Sequence, residues 1–144
     1  MKISIARNIT DREAEDLAAL MPQLSPAATA LDRRYLETVL DSGATTLFIA
    51  KEGATIVGTL SLIVYPVLSN KKKAWIEDVV VDRAARGRGI AGLLLDAAFD
   101  HARKQGVKKI DLTSANSRAA AHELYEKKGF QKRDTSVFRI ELTD

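Results

Sequence analysis

The sequence predicts an α/β fold in which a central mixed, mostly antiparallel sheet is flanked by about four helices. Three observations support this prediction: strand-like segments outnumber segments with helical periodicity, two strands surround a turn signal, and one strand–helix–strand crossover lies in the second half of the chain. The chain has 144 residues, 46% of them hydrophobic, which is enough for a core without a metal or disulfide. We therefore expect a single domain over residues 1–144.

The first half of the chain is predicted to contain three strands and two helices. Lys2 begins a strand with alternating isoleucines, and Thr10 with Glu13 forms the capping-box pattern that opens a helix. Pro22 and Pro26 are expected to interrupt the chain after that helix. The predicted elements are a strand over 2–8, helices over 10–21 and 27–40, and hairpin strands over 45–51 and 55–65.

The second half is predicted to contain three more strands and two more helices. The three valines at 79–81 lack polar alternation, which predicts a strand buried on both faces at the centre of the sheet. Gly106 and Gly129 are placed to end the two helices, with Phe130 as a hydrophobic cap contact. The predicted elements are a strand over 74–81 that follows three lysines, a helix over 90–105, a strand over 108–113, a helix over 117–128 and a strand over 135–142.

The composition excludes several classes of site. The chain has no cysteine, so it has no disulfide, no thiolate metal ligand and no cysteine nucleophile. The histidines are limited to His101 and His122, and we expect no metal site. The excess of basic over acidic residues is 22 − 19 = +3, and lysines 71–73 lack interleaved aromatic residues, so no nucleic-acid partner is expected. Without a secretory signal or a membrane-spanning apolar run, we expect a cytoplasmic protein with no membrane partner.

The segment from residue 79 to residue 92 carries the strongest functional signal. A strand ends at residue 81, a turn rich in glycine and arginine follows, and a helix begins at residue 90. Glycine lets the backbone approach a ligand closely, and the exposed N–H groups at a helix start attract anions. The pattern therefore predicts a pyrophosphate-binding loop. Positive charge for the same anion or a nearby phosphate comes from Arg83, Arg86 and Arg88.

Two other interpretations of this loop stay open. Residues 87–92 match the G-x-G-x-x-G fingerprint of dinucleotide-binding domains, with Asp111 about 20 residues further on. Against it, residues 82–86 separate the first glycine from the strand, and too little chain follows for the further strand–helix units of such a domain. The other interpretation is a surface turn with solvated arginines.

The loop resembles motif A of the GNAT superfamily of N-acetyltransferases, which runs Gln/Arg-x-x-Gly-x-Gly/Ala. The three defined positions are occupied by Arg86, Gly89 and Ala91. The resemblance implies that the pyrophosphate of coenzyme A is held by the amides of Arg86, Gly87, Arg88, Gly89, Ile90 and Ala91. It also implies that the pantetheine arm pairs, as an added strand would, with the backbone of Val79, Val80 and Val81. The cofactor implied is acetyl-CoA.

Residues 124–130, LYEKKGF, resemble the LYxKxGF segment of the same family. The resemblance makes Tyr125 the proton donor to the departing thiolate, and a phenol with a pKa of about 10 is protonated at neutral pH. Simple packing of this tyrosine on its helix is the alternative. Many relatives carry Asn seven residues before the tyrosine; here Arg118 stands there and Asn116 lies two residues earlier, so both are candidates for contacts with the cofactor.

The incoming amine must lose a proton, so a base near the reacting atoms is useful. Glu77 and Asp78 lie just before the valines, and strand alternation would place them on opposite faces. The run Ile76-Glu77-Asp78 is similar to one at this place in glucosamine-6-phosphate acetyltransferases, which makes Glu77 the first candidate. Asp78 as the base, or an ion pair of one carboxylate with Lys73, stays open.

The loop and the resemblance to GNAT acetyltransferases together imply an acetyl-CoA-dependent N-acyltransferase that moves an acetyl group to a primary amine. Because no cysteine can carry the acetyl group, we expect direct attack of the amine in a ternary complex. A non-catalytic sensor or partner subunit that binds coenzyme A is the alternative. No motif defines the acceptor, a small-molecule or protein amine, although Asp32, Glu37 and Asp41 favour a cationic one. A homodimer, common in the family, is open to this chain.

Overall fold

The computed structural model describes residues 1–69 and 71–143, and the predicted fold class is confirmed. Its elements are β1 (Lys2–Ile5), α1 (Asp11–Leu24), α2 (Arg33–Asp41), β2 (Thr45–Glu52), β3 (Thr55–Val67), β4 (Lys71–Val81), a short 3₁₀ helix (Arg83–Ala85), α3 (Ile90–Lys104), β5 (Ile110–Asp111) and α4 (Ala119–Lys127). The five strands form one sheet in chain order. Neighbours are antiparallel from β1 to β4, and β4 and β5 are parallel.

The chain forms two compact units. The first, Met1–Thr113, contains the five-stranded sheet and helices α1 to α3. The second begins at Ser114 and contains α4. That residues 1–144 act together as one N-acetyltransferase domain stays a prediction.

The first unit has its main core between the sheet and the first two helices. The strand register places Leu47 opposite Ser61 and Ile49 opposite Thr59, so these four side chains share one face of the sheet. The core cluster joins this face to α1 and α2. Its buried members are Ala6, Ile9, Leu17, Leu20, Leu36, Leu47, Ile49, Ile56 and Val80.

Helix α3 packs on the opposite face, where Gly58 leaves room for it. A Cβ atom at Gly58 would lie 3.3 Å from Ile90 Cγ2, 3.3 Å from Leu94 Cδ1 and 3.4 Å from the Val80 carbonyl oxygen. The absence of a side chain therefore allows α3 to approach β3 closely. Since Ile90 is the first residue of α3, this contact also places the start of the helix beside the end of β4.

Helix α1 begins as predicted but ends later. The Thr10 side chain accepts a hydrogen bond from the Glu13 amide at 3.1 Å, and Glu13 Oε1 accepts one from the Thr10 amide at 3.0 Å, which completes the capping box. The prediction that the helix stops near residue 21 is wrong, because α1 continues to Leu24 with Pro22 inside it. Proline removes one helical hydrogen bond. Leu24 packs against the core cluster, and this burial offsets the loss.

Helix α2 is shorter than the predicted 27–40. It begins at Arg33, because Asp32 is its N-cap and accepts a hydrogen bond from the Tyr35 amide at 2.7 Å. Residues 26–32 form no helix or strand. The predicted helix began too early because apolar residues continue before Arg33. The N-cap at Asp32 depends on the local backbone conformation, which the spacing of apolar residues does not show.

The predicted strand over 135–142 is not formed. Residues 131–143 contain no helix or strand. Apolar residues do alternate along this segment, but a strand also needs a partner edge, and the sequence pattern does not supply one. The large apolar side chains exposed here are Val137, Phe138, Ile140 and Leu142.

Glu13 is expected to stabilise the first unit in a pH-dependent way. Its carboxylate lies 2.9 Å from Lys51 Nζ, and hydrogen bonds from Lys51 and Thr10 lower its pKa to about 2. This stabilisation is present above the ordinary value of 4.5 and is lost as the pH falls from 4.5 towards 2. Glu13→Gln should lower the free energy of unfolding at neutral pH by about 1–2 kcal/mol, allowing for solvent screening of the pair.

Urea unfolding at several pH values measures this effect. The difference between wild type and Glu13→Gln should disappear near pH 2. Glu15→Gln is the matched control, because Glu15 is exposed on the same helix. An equal loss of stability in both variants, or no loss in Glu13→Gln at neutral pH, would contradict the prediction.

Candidate functional site

Strand β4 carries a bulge among the residues predicted for the site. Its register with β3 pairs Val80 with Thr59 but Glu77 with Ser61, so β4 has one residue more than β3 in this interval. Asp78 lies in the bulge with φ +53°, a left-handed conformation that Asp adopts more readily than most residues. Regular alternation, which predicted opposite faces for the two carboxylates, therefore ends at Glu77.

One edge of β4 is open along the same segment. Strand β5, predicted over 108–113, is reduced to two residues and pairs with β4 at Ala74 and Trp75. Within the part of the chain that the structure describes, no strand pairs with this edge from Ile76 to Val81. Unpaired backbone groups on a strand edge can bind an extended ligand as an added strand.

The open edge also explains why the valine run is not buried on both faces. Val80 faces the core and is 3% exposed, whereas Val79 and Val81 are only half-buried. The prediction of full burial is wrong, because a strand without a neighbour on one side leaves part of its surface uncovered. An apolar run reports on the hydrophobicity of a strand and not on its position in the sheet.

The chain leaves β4 through the 3₁₀ helix and enters α3 at Gly89. Gly87 and Gly89 have φ angles of +78° and +76°, and a Cβ atom at either would meet nothing within 4 Å. Gly89 is the N-cap of α3 and, as a glycine, offers no side-chain cap hydrogen bond to the first amides of the helix. Amides at a helix start and the positive end of the helix dipole favour an anion, and binding of one here stays a prediction. The predicted loop thus lies directly after the open edge of β4.

Two residues to which the sequence analysis gave no role hold this loop in place. Asp82 Oδ1 accepts a hydrogen bond from the Ala84 amide at 3.2 Å and caps the 3₁₀ helix. Gln23 Oε1 accepts one from the Arg83 amide at 2.8 Å, and Gln23 Nε2 donates to Asp82 Oδ1 at 3.4 Å. An Asp after a strand end is a local capping signal. Gln23 has no such signal, because it comes from α1, far away in the chain.

Two loop arginines make contacts with neighbouring strands of the protein. Arg86 Nε donates to the Val81 carbonyl at 3.1 Å, which turns the side chain back towards β4. Arg88 forms an ion pair with Glu52 and, through a hydrogen bond and its charge, lowers the pKa of that carboxyl. Glu52 ends β2, so this pair ties the loop to the β2–β3 hairpin. Each guanidinium has five N–H donors, and both retain donors for a phosphate.

Both candidate bases on β4 are accessible. Glu77 and Asp78 are exposed. Although each residue is exposed as a whole, partial desolvation of its carboxyl raises the pKa of Glu77 above its ordinary value, and the charge of Asp78 raises it further. Burial also raises the pKa of Asp78. A raised pKa makes a carboxylate a stronger proton acceptor, which suits a base.

Tyr125 lies near the end of α4 in the second unit. It is 8% exposed, and its ring meets that of Phe130 edge-on with the centroids 5.8 Å apart. The Phe130 amide donates to the Tyr125 carbonyl at 2.9 Å, and the Gly129 amide donates to the Glu126 carbonyl at 3.0 Å. These are the hydrogen bonds of a Schellman motif, with Gly129 at φ +103°. The predicted helix stop and cap contact are confirmed, and they orient the tyrosine ring.

The protonation state of Tyr125 suits a proton donor. Burial raises the pKa of the phenol, and the charge of Arg118 acts in the opposite direction with smaller effect. The phenol is therefore protonated at neutral pH. Arg118 is the N-cap residue of α4, and Asn116 lies in the turn before it. The roles of Tyr125, Arg118 and Asn116 stay predictions, as does the role of Glu77 in the first unit.

The described residues carry no sign of a membrane span or a metal centre. No helix among them is long and apolar enough to cross a membrane. No group of three or more His, Asp or Glu side chains among them could hold a metal ion.

Comparisons with known proteins identify the family. Residues 12–130 match the model described as the Acetyltransferase (GNAT) family. In Bacillus subtilis (strain 168), the uncharacterized N-acetyltransferase YhfO is 29% identical over 87% of this chain and 90% of its own length, and the uncharacterized N-acetyltransferase YhdJ is 31% identical over 81% and 85%. A solved structure from Agrobacterium tumefaciens str. C58 matches with a TM-score of 0.86 at 26% identity, covering 99% of this chain and all of that one. The chain therefore belongs to the GNAT family of acetyltransferases.

Proposed function

We propose that this protein transfers the acetyl group of acetyl-CoA to a primary amine by direct attack of the amine while both substrates are bound. The proposal rests on three features that follow one another along the chain: the open edge of β4, the glycine loop and the start of α3 at Gly89. An extended amide-containing arm that ends in a pyrophosphate fits this order, since it needs strand-like pairing first and an anion site next. Membership of the GNAT family supports the same cofactor.

The residues of the loop fit coenzyme A. Backbone groups of residues 79–81 would pair with the pantetheine arm, and the amides of residues 86–91 would bind the pyrophosphate. The positive φ angles of Gly87 and Gly89 leave this surface free of side chains. Arg86 and Arg88 would add positive charge beside the phosphates.

Acetyl-CoA supplies the acetyl group as a thioester. The amine nitrogen forms a bond to the acetyl carbon and the carbon–sulfur bond breaks, so an ammonium substrate yields one amide, one thiol and one released proton. In our proposal Glu77 takes the proton of the bound ammonium, directly or through a water molecule. Tyr125 provides the proton that the departing sulfur acquires and regains one from the nitrogen, which loses its second proton as the amide forms. The chain has no cysteine to form an acyl-enzyme.

Calorimetric titration with acetyl-CoA, with NADH as the control ligand, tests the binding half of the proposal. We expect acetyl-CoA to bind in the micromolar range and NADH to give no heat. Gly89→Val should weaken acetyl-CoA binding about tenfold, because the left-handed conformation costs an L-residue about 1–2 kcal/mol, so the free loop relaxes away from the binding conformation, and because the side chain would cover the loop amides. Gly43→Val is the matched control, because Gly43 has open space around it and lacks a positive φ.

Each alternative has a distinct outcome. Binding of NADH instead of acetyl-CoA would support the dinucleotide interpretation, and binding of neither would contradict the loop assignment. A thiol-release assay with a panel of primary amines then tests turnover, and the absence of protein thiols keeps its background low. Acetyl-CoA binding without turnover of any amine would indicate a non-catalytic sensor.

A further inference from the structure

An aromatic pair lies beside Glu77 on the same face of the sheet. The register pairs Trp75 with Ile63 and Glu77 with Ser61, so Trp75 and Glu77 are adjacent side chains on one face of β4. Tyr65 follows Ile63 on that face, and Trp75 Nε1 donates a hydrogen bond to the Tyr65 hydroxyl at 2.9 Å. Both rings are partly exposed. The hydrogen bond fixes the orientation of the indole next to the carboxylate.

Strand β5 adds a second carboxylate to this face. Asp111 pairs with Trp75 in the parallel register, so the two side chains are neighbours on the same face. With a rise of about 3.3 Å per residue and about 4.8 Å between strands, the Cα atoms of Glu77 and Asp111 lie about 8 Å apart. Asp111 is half-buried, and the acetyl-transfer chemistry proposed above gives it no role. Trp75 therefore has one carboxylate along its own strand and another across from it.

Lys73 defines the other end of this face. It pairs with Tyr65, so it lies on the same face as Trp75 but on the side away from Glu77. Its charge repels a cation at that end. The two carboxylates and the face of the indole attract a cation at the opposite end. The charge pattern therefore favours a ligand with two positive groups between Glu77 and Asp111.

We propose that Trp75, Glu77 and Asp111 form the acceptor subsite and that the acceptor is an aliphatic diamine. The reacting nitrogen lies at Glu77, the alkyl chain crosses the indole of Trp75, and the second ammonium pairs with Asp111. A chain of about five carbons between the two nitrogens spans this separation. Tyr65 is a positioning residue, because it acts through the indole. The inference rests on the proposed acetyl transfer and specifies its acceptor class.

This inference is tested by measuring acetyl transfer by the full chain to 1,5-diaminopentane and to 1-aminopentane. The release of the coenzyme A thiol reports the rate. The two amines share a carbon chain and differ in the second charge. We expect kcat/KM to favour the diamine by about tenfold, mainly through KM and beyond the statistical advantage of two equivalent nitrogens. Asp111→Asn should abolish this preference by raising KM for the diamine alone. Asp100→Asn removes an equal charge from an exposed position on α3 and should keep the preference.

A second variant tests the aromatic part of the subsite. Tyr65→Phe removes the oxygen that accepts the Trp75 hydrogen bond and keeps the ring. It should raise KM for both amines by a similar factor and leave kcat nearly unchanged, because a loosened indole binds the alkyl chain less well. An unchanged KM for both amines would remove Tyr65 from this role.

The outcomes separate this inference from the proposed function. Three outcomes would overturn the diamine subsite and leave acetyl transfer intact. The two amines could have equal kcat/KM, or the protein could acetylate other amines but neither of these. The preference for the diamine could also survive Asp111→Asn. The comparison of two amines with wild-type protein needs no variant, so it stands even where Asp111→Asn does not fold. Acetyl-CoA binding without turnover of any primary amine would overturn both proposals.

Discussion

Replacement of Tyr125 by Phe is expected to lower kcat about 100-fold and to leave the affinity for acetyl-CoA nearly unchanged. The buried phenol has a raised pKa, so it is protonated at neutral pH and can donate to the departing sulfur. Phe keeps the ring that packs against Phe130, so the stability of α4 should change little. Steady-state kinetics together with calorimetric titration of acetyl-CoA measures both quantities.

The pH dependence of kcat and a control variant test the donor role. Because burial raises the pKa of Tyr125, the phenol stays protonated from about pH 6 to about pH 9, and the ratio of wild-type to variant kcat should be constant over that range. Tyr35→Phe, at a 60% exposed position on α2, is the control and should retain wild-type kcat. Equal turnover by wild type and Tyr125→Phe at every pH would exclude the donor role.

The second large effect is expected for Glu77→Gln. An alkylamine is mostly protonated near neutral pH, so a variant without a base depends on the small fraction of free amine. We expect kcat/KM to fall about 100-fold at neutral pH. The deficit should shrink as the pH rises towards the pKa of the amine. It should also shrink as the pH falls through the raised pKa of Glu77, because the wild type then loses its carboxylate.

Asp78→Asn is the matched comparison for the base. It neutralises the neighbouring carboxylate, and Asn tolerates the left-handed φ of +53° at the bulge. This variant should keep most of its activity. Its acid limb should move to lower pH, because the charge of Asp78 raises the pKa of Glu77. Loss of activity in Asp78→Asn alone would assign the base to Asp78. If neither Glu77→Gln nor Asp78→Asn changed the pH profile, the rate acceleration would come from positioning of the substrates.

The predictions that the structure confirms rest on residues close together in the chain. The capping box of Thr10 and Glu13 and the Schellman motif at Gly129 each form within about one helical turn. The glycine turn of residues 86–91 is similarly local, because its glycines, its arginines and the helix start are contiguous, while its binding of a phosphate stays a prediction. In such cases all the interacting residues are close together in the sequence, so the interaction can be predicted without knowledge of the tertiary packing.

The predictions that failed depend on distant partners. Residues 135–142 have the alternation of a strand, yet none forms there. Residues 79–81 have the composition of a central strand, yet the short β5 leaves one edge of β4 open beside them. Pro22 was expected to end α1, yet packing of the last turn against the core carries the helix to Leu24. Each error arises because strand pairing or side-chain burial depends on residues outside the local sequence pattern.

The order of amino acids was therefore sufficient for the fold class, the family resemblance and the glycine turn between β4 and α3, since each depends on periodicity or on contiguous residues. It was insufficient for the bulge at Asp78, the anchoring of the loop by Gln23 and the grouping of Trp75, Glu77 and Asp111 on one face. These features arise from strand register and helix packing between segments far apart in the chain. A shift of one residue in that register would reverse which side chains share a face, and no local signal specifies it.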